Sequence, residues 1–221
     1  MNTFVLSVGG SLIAPDGINT SFIGQFKKSI LASQHRFVIV VGGGKTCRNY
    51  QDAARSISPL SAKDLDWIGI AATHLNAELV RSVFCQYAHE RITINPSRKA
   101  KTSKKIIVAA GWKPGHSTDY DAVCLAKTYG AQTIINMTNV DYLYDKDPKE
   151  YSDAKKITEA TWPQLQKIVG TAWKPGLNRP FDPIATKLAA KLKLSLILIG
   201  SDVRNFENVL QNQPFKGTTI S

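Results

Sequence analysis

Three glycines and a lysine follow a run of five apolar residues in the stretch FVIVVGGGKTCR. Glycine lacks a Cβ and adopts positive φ, so the N–H groups of Gly43 and Gly44 can close on an anion that larger residues would exclude. A helix predicted to begin near Lys45 would add the partial positive charge of its N-terminus. A phosphate cradle and a tight β–α turn are equally compatible with this stretch alone.

A second apolar run that leads into glycines favours the phosphate-binding interpretation. At the N-terminus an apolar run, 4–8, leads directly into Gly9, Gly10 and Ser11. Both apolar runs lack alternation and are rich in β-branched residues, which is typical of strands buried on both faces of a parallel sheet. Two strands that end in glycine turns would therefore present their amides at the same edge of the sheet.

A third glycine-containing segment ends where a helix is predicted to start, near residue 118. It consists of Lys113, Pro114, Gly115, His116, Ser117, Thr118 and Asp119. Ser117 or Thr118 is a natural N-cap, which accounts for the hydroxyls without any functional role. Capping does not explain why a lysine, a histidine and an acid gather in the same turn, so we expect this segment to line a site for an anionic ligand.

Two charged residues on predicted helices, one acidic and one basic, are further candidates for a functional role. Asp66 lies one turn into a long amphipathic helix, where its carboxylate could accept hydrogen bonds from two vicinal hydroxyls. A surface acid or a partner for the helix dipole is the ordinary alternative. Lys187 lies one turn into a helix opened by Asp182 and Pro183, and its ordinary alternative is an exposed, solubilising lysine.

The loop 138–148 is rich in side-chain acceptors and carries two tyrosines. An aromatic face, amides and acids suit a purine ring and its ribose, whereas a turn-rich surface loop is the alternative.

The order of predicted elements defines the fold class. Strands predicted at 4–8, 37–41, 92–95, 105–109, 133–137 and 195–199 alternate with helices, a loop is predicted at 173–180, and an edge strand at 217–220. This order predicts a single α/β domain, 1–221, with a mostly parallel central sheet covered by helices on both faces. Ligands of such sheets bind off the carboxyl ends of the strands, where all three glycine segments are expected to meet.

Composition limits the function classes. Hydrophobic residues make up 43% of the 221 residues, so a sizeable core is expected and disorder is not. The net charge of +11 suits either a nucleic-acid-binding protein or an enzyme that attracts polyanionic small molecules. The basic run Arg98–Lys105 has no interleaved aromatic residue for base stacking. We therefore interpret it as a solvated loop and expect no nucleic acid partner.

Cysteine usage and hydropathy indicate a cytoplasmic protein. Cys47, Cys85 and Cys124 are far apart, and neither they nor the four histidines have the spacing of a metal site or a disulfide framework. The N-terminal residues do not read as a signal peptide, and no apolar run approaches 18 residues. We expect no membrane partner and no metal ligated by a protein cage.

Six motifs in order carry a resemblance to a known family. They are SVGGSLI, VVGGGKTCRNY, DWIGIAATHLNA, GWKPGHSTDYDAV, TNVDYLYDKDP and FDPIATKLAA, and together they cover nearly the whole chain. The P-loop pattern and the G-x-G-x-x-G dinucleotide fingerprint are both absent. The chain resembles the amino acid kinase family and, within it, the archaeal-type uridylate (UMP) kinases.

This resemblance implies a three-layer α/β/α sandwich in which ATP and UMP meet end to end across the strand ends. It implies transfer of the γ-phosphoryl of ATP to UMP, giving UDP for pyrimidine nucleotide biosynthesis, with Mg²⁺ bridging the ATP phosphates. It also implies a UMP-side lobe at roughly 1–130, an ATP-side lobe at roughly 131–221, and a homo-oligomer, a hexamer by analogy.

The resemblance also implies roles for individual residues. ATP would contact Gly9, Gly10, Ser11, Gly44, Arg48, Thr138, Asn139, Tyr144 and Asp147. UMP would contact Gly43, Asp66 and the segment from Lys113 to Asp119. Lys187 would draw charge from the transferring phosphoryl group, and Asp119 would organise the cationic groups around it.

The chain departs from the family pattern at two informative positions. Ser7 occupies the position where many members carry a lysine, a cation that Lys45 could replace. Tyr142 follows Asp141 where the family usually has glycine. Two alternatives therefore stay open: a kinase of this fold with another small acceptor, or a non-catalytic nucleotide- or oxyanion-binding protein. Asp66 disfavours a carboxylate acceptor, because two anions would face each other.

Overall fold

The computed structural model describes residues 1–148, 150–172 and 180–221, so the loop predicted at 173–180 lies almost entirely outside the described residues. The strands are β1 (Thr3–Val8), β2 (Arg36–Val41), β3 (Ile106–Ala109), β4 (Thr133–Met137), β5 (Leu143–Tyr144), β6 (Lys156–Ile157), β7 (Glu159–Ala160), β8 (Ser195–Ile199) and β9 (Thr218–Ile220). The helices are α1 (Gly10–Ile13), α2 (Thr20–Ala32), α3 (Gly44–Ile57), α4 (Ala62–Phe84), α5 (Thr118–Tyr129), α6 (Trp162–Val169), α7 (Pro183–Lys191) and α8 (Val203–Leu210). A short 3₁₀ helix, Cys85–Tyr87, follows α4. Within the described ranges, every helix is too short or too polar to cross a membrane.

One seven-stranded sheet organises the chain, in the order β3-β2-β1-β4-β8-β9-β7. The first five strands in this order are parallel, and their register brings their carboxyl ends into line. Val8 lies opposite both Val41 and Met137, and Met137 lies opposite Ile199. The turns that follow β1, β2, β4 and β8 therefore meet along one edge of the sheet, which we call the carboxyl rim.

Helices cover both faces of the sheet, so the predicted three-layer α/β/α architecture is confirmed. On one face α2, α4 and α8 pack around Phe26, whose ring contacts the rings of Phe22, Phe84 and Phe206. On the other face α5, α6 and α7 form a second cluster with the alternate strand residues. Consecutive strand residues thus belong to different clusters, which explains why the strand sequences are apolar throughout.

Two of the predicted strands differ from the structure. In the segment 92–95 only Thr93 pairs with the sheet, through a single bridge to Ala109. The terminal strand β9 is not an edge strand, because it runs antiparallel to β8 and carries the two-residue β7 on its other side. The apolar pattern predicts neither the bridge at Thr93 nor the partners of β9. The strand β7 has one exposed and one buried residue, so its sequence does not mark it as a neighbour of β9. The division into lobes near residue 130 stays a prediction.

The basic run 98–105 is held against the protein by its own side chains. Lys104 Nζ donates a hydrogen bond to the Gln86 carbonyl at 2.6 Å, and Lys105 Nζ donates to the Leu31 and Ser33 carbonyls. Lys99 Nζ lies 5.7 Å from the centre of the Tyr129 ring. The run is a loop, as expected, but these contacts tie it to the protein more closely than the expected solvated loop.

The turns after β1 and β2 pack backbone against backbone. A Cβ at Gly10 would lie 2.0 Å from the Gly44 nitrogen, and a Cβ at Gly42 would lie 2.6 Å from the Gly10 nitrogen. Gly44 has φ +64°, and a Cβ there would lie 2.3 Å from the Gly10 carbonyl oxygen. No side chain fits at any of these three positions without moving main-chain atoms.

We predict that Gly44→Ala lowers the free energy of unfolding by about 2 kcal/mol or more, because it combines a left-handed conformation with a main-chain overlap. Urea-induced unfolding measures the change. The matched control is Gly24→Ala in the interior of α2, where a Cβ meets nothing within 4 Å. That control should stabilise by about 0.5–1 kcal/mol through helix propensity. A Gly44→Ala protein as stable as the native chain would contradict the packing described here.

Candidate active site

The carboxyl rim exposes a set of main-chain amides between β1 and β2. The sheet pairing continues past the strands, with Gly9 N–H donating to the Met137 carbonyl at 2.9 Å and Gly42 N–H donating to the Val8 carbonyl at 3.0 Å. Helices α1 and α3 start at Gly10 and Gly44, and amides in the first turn of a helix have no intrahelical acceptor. Amides in this position are suited to donate to an anion, and anion binding at the rim stays a prediction.

Helix α4 fixes the backbone of the turn after β2. The buried Asn76 side chain donates through Nδ2 to the carbonyls of Gly42 and Gly43, at 2.9 and 3.1 Å. One turn earlier, Thr73 Oγ1 accepts from the Gly111 N–H at 2.9 Å. Sequence reasoning assigned no role to Asn76, because a polar residue on an amphipathic helix gives no signal of the distant carbonyls it binds.

Asp66 and the segment Lys113–Asp119 lie together. The Gly115 N–H donates to Asp66 Oδ2 at 2.9 Å, so the start of α4 holds the tip of this segment. Ser117 is the N-cap of α5, accepting from the Tyr120 N–H at 3.1 Å, as the simpler interpretation predicted. Lys113 Nζ lies over the Trp112 ring, 4.1 Å from its centre.

Asp119 connects three elements at the rim. Its Oδ1 accepts from the Ser7 hydroxyl of β1 at 3.0 Å, and its Oδ2 accepts from the Asp182 N–H at 3.2 Å. The Asp182 carboxylate in turn caps α7, accepting from the N–H groups of Ile184 and Ala185. Ser7 therefore supplies a hydrogen bond to Asp119 at the position where many family members carry a cation.

The surroundings of Asp119 disfavour its ionised form. The pKa of the Asp119 carboxyl is raised to about 7, mainly by burial and to a smaller extent by the nearby Asp182 carboxylate. The hydrogen bonds from Ser7 and from the Asp182 amide oppose this shift. A cation close to Asp119 would stabilise the ionised form, and Lys187 lies exposed on α7 one turn after Asp182.

The predicted adenosine residues line one pocket after β4. Its wall includes Thr138, Asn139, Tyr144 and Asp147. Tyr142, where the family usually has glycine, lines the same pocket, and Lys156 Nζ lies 5.2 Å from the centre of its ring. The pocket combines aromatic faces with amide and carboxylate groups, which is the mixture that a purine nucleoside requires.

The two cations nearest the turn after β2 point to the surface. Lys45 Nζ pairs with Asp16 Oδ1 at 2.8 Å, and both side chains are largely exposed, at 42% and 84%. Arg48 is exposed one turn into α3. An exposed ion pair contributes little free energy, so an anion at the rim can compete with Asp16 for Lys45.

Sequence reasoning missed one acidic residue at this site. Asp121 follows Asp119 by two residues and is completely buried. Burial raises the pKa of its carboxyl to about 7. One feature of the sequence indicates that Asp121 is buried. It lies beside Ala122 and Val123, among the apolar residues of α5, and an acid buried there needs a polar partner.

We predict that Asp119→Asn stabilises the fold at pH 8 and has little effect on stability at pH 4. The Asp119 pKa is about 7 in the folded chain, whereas an aspartate in an unfolded chain has its ordinary pKa of 3.8. As pH rises through this interval, the folded state must release a proton that the unfolded state has already lost, so the native chain loses stability and asparagine does not. Asparagine can still accept from the Asp182 amide while donating to Ser7.

Thermal unfolding of both proteins from pH 4 to pH 8.5 tests this prediction. The control is Asp52→Asn, which replaces an exposed acid paired with Arg55 on α3 and should shift stability equally at both ends of the range. A stability difference between native and Asp119→Asn chains that does not grow with pH would be evidence against a raised pKa at Asp119.

Comparisons with known proteins agree with this geometry. A model of the amino acid kinase family matches residues 2–200. The uridylate kinase of Thermoplasma volcanium is 32% identical over 99% of this chain and 97% of its own, and that of Archaeoglobus fulgidus is 35% identical over 98% and 99%. The crystal structure of the Archaeoglobus fulgidus uridylate kinase superimposes with a TM-score of 0.86 at 33% identity, covering 100% of both chains. A UMP kinase structure from Bacillus anthracis, 18% identical with a TM-score of 0.79, shares the fold. The chain therefore belongs to the amino acid kinase family.

Proposed function

We propose that this protein is a uridylate kinase, which transfers the γ-phosphoryl group of ATP to UMP and releases UDP and ADP. The observation that carries the proposal is the meeting of three segments at the carboxyl rim: the turn after β1, the turn after β2 and the segment Lys113–Asp119. Relatives that share about a third of their residues with almost the whole chain are named uridylate kinase.

On the donor side, the amides of Gly10, Ser11 and Gly44 would bind the ATP phosphates, with Gly9 and Arg48 beside them. The adenosine would occupy the pocket lined by Thr138, Asn139, Tyr144 and Asp147. N–H groups at a helix start match phosphate oxygens in both geometry and charge, and the fixed backbone needs no rearrangement.

On the acceptor side, Gly43, Asp66 and the segment Lys113–Asp119 would bind UMP. Asp66 Oδ2 already accepts one hydrogen bond from Gly115, and within the described ranges Oδ1 has no partner, so it would accept from the ribose hydroxyls. An oxygen of the UMP phosphate would attack the γ-phosphorus in line with the bond to the bridging oxygen of ADP, which breaks.

Lys187 would neutralise charge on the transferring group, and Asp119 would hold the cations in place. Lys45 is the candidate for a second cation, provided that it leaves Asp16. The turns after β1 and β2 offer N–H groups, which fit phosphate oxygens, and the described residues hold no cluster of metal-ligating side chains, so we propose that Mg²⁺ enters bound to ATP. When bound with ATP, Mg²⁺ would supply charge neutralisation at the phosphates.

We also propose that the enzyme works in the cytoplasm as a homo-oligomer. The family resemblance supports a hexamer. Sedimentation of the purified chain tests the assembly directly, and a monomer at micromolar concentration would contradict it.

Our prediction for catalysis concerns Lys187. With Mg-ATP and UMP, Lys187→Ala should lower kcat by about 10²-fold or more while ATP still binds, because the lysine acts on charge that develops in the transition state. The matched control is Lys191→Ala, an exposed lysine in the last turn of the same helix. UDP formation by both variants and the native chain is measured under one condition; an unchanged kcat for Lys187→Ala would remove the role assigned to it.

A panel of acceptors separates the alternatives. UMP, CMP and AMP are assayed side by side, together with a small carboxylate. Faster transfer to another acceptor would make the chain a kinase of this family with a different substrate. ATP binding without transfer to any acceptor would instead favour a non-catalytic nucleotide-binding protein.

A further inference from the structure

The buried carboxylate of Asp121 makes two contacts with the segment that precedes its helix. Its Oδ2 accepts from the Trp112 N–H at 3.0 Å, and its Oδ1 lies 3.4 Å from His116 Nδ1. The side chain has no exposed surface. A buried carboxylate is costly unless it is hydrogen-bonded or paired, so its position depends on these two partners.

His116 is held in one orientation by its neighbours. Its ring packs edge-on against Trp112, with centres 5.1 Å apart, and against Tyr120, with centres 4.5 Å apart. Nδ1 faces Asp121, and 19% of the side chain stays exposed. Among the described residues, Nε2 has no hydrogen-bond partner, so this ring nitrogen is available to a ligand.

The surroundings of His116 disfavour its protonated form in the free protein. Burial lowers the His116 pKa most, the Lys113 ammonium lowers it further, and the Asp182 carboxylate opposes both. A phosphate dianion beside Nε2 would reverse this balance, since it favours the imidazolium. The Asp121 carboxylate would then stabilise the proton on Nδ1, as a buried acid does behind a catalytic histidine.

We propose that Asp121 is a positioning residue for the acceptor: it orients His116 so that Nε2 donates a charge-assisted hydrogen bond to the phosphate of UMP. The proposal rests on the proposed function and deepens it, because it adds a cation to the acceptor side through a residue outside the segment Lys113–Asp119. When UMP binds, His116 gains one proton, from solvent or from the Asp121 carboxyl, and no other bond changes.

The test uses Asp121→Asn, His116→Ala and the double variant. Asparagine keeps the size of the side chain and can still accept from the Trp112 amide, but it cannot stabilise an imidazolium. We expect Asp121→Asn to weaken UMP binding about tenfold, because a charge-assisted hydrogen bond becomes a neutral one. The KM for ATP should stay within about twofold of the native value, and Asp52→Asn again serves as the control.

Two readouts separate positioning from a purely structural role. In the His116→Ala background, Asp121→Asn should cause no further loss of UMP affinity, since its partner is gone. Nitrogen-15 spectra should show both His116 ring nitrogens protonated in the native chain with UMP, and only one in Asp121→Asn. A full tenfold loss in the His116→Ala background, or ring nitrogens that do not respond to UMP, would overturn the proposal.

These outcomes are independent of the kinase assay. An active UMP kinase whose His116 nitrogens ignore UMP would overturn this inference alone. A chain that binds UMP through a protonated His116 but phosphorylates no acceptor would support this inference and overturn the proposed function.

Discussion

The close contact between Gly10 and the turn of Gly42 and Gly44 is the constraint on which the rest of the rim depends. Adjacent parallel strands are about 4.8 Å apart, and β1 and β2 end in the same register. Their turns therefore leave the sheet side by side, and only residues without a Cβ allow the two main chains to meet. Because α1 and α3 begin at these glycines, the contact also aims both helix starts at the same region.

Electrostatics at the rim work against stability. Asp119 and Asp121 both lie in the first turn of α5, and burial raises both carboxyl pKa values to about 7. The N-terminus of α5 offers them partial positive charge, but each also needs hydrogen bonds from other elements. Two destabilised acids at one helix start are an expected feature of a functional site, where a fold trades stability for activity.

The sequence was sufficient to predict the parts of the fold that depend on local pattern. Apolar runs without alternation located the five parallel strands, and glycines after two of them located the rim. The pairing of β9 and the lack of a strand at 92–95 could not be predicted, because a short apolar run does not specify its neighbour.

The same limit applies to the candidate site. The glycine segments and the acid of α4 have recognisable sequence contexts, and resemblance supplied roles for most of the others. The contact of Asn76 with Gly42 spans 34 residues of sequence, and that of Asp182 with Asp119 spans 63. Such contacts are created by tertiary packing, so no local pattern indicates them, and the role of Ser7 could be seen only once β1 and α5 were in place.

The backbone lining of the rim has a further consequence for binding entropy. Lysine and arginine lose rotamer freedom when they close on a phosphate, whereas the glycine amides at positions 10 and 44 are immobilised when the chain folds. A phosphate that binds there therefore meets donors whose conformational freedom was already lost before the ligand arrived. The entropic cost of ordering these two positions is therefore incurred when the chain folds and not when the ligand binds.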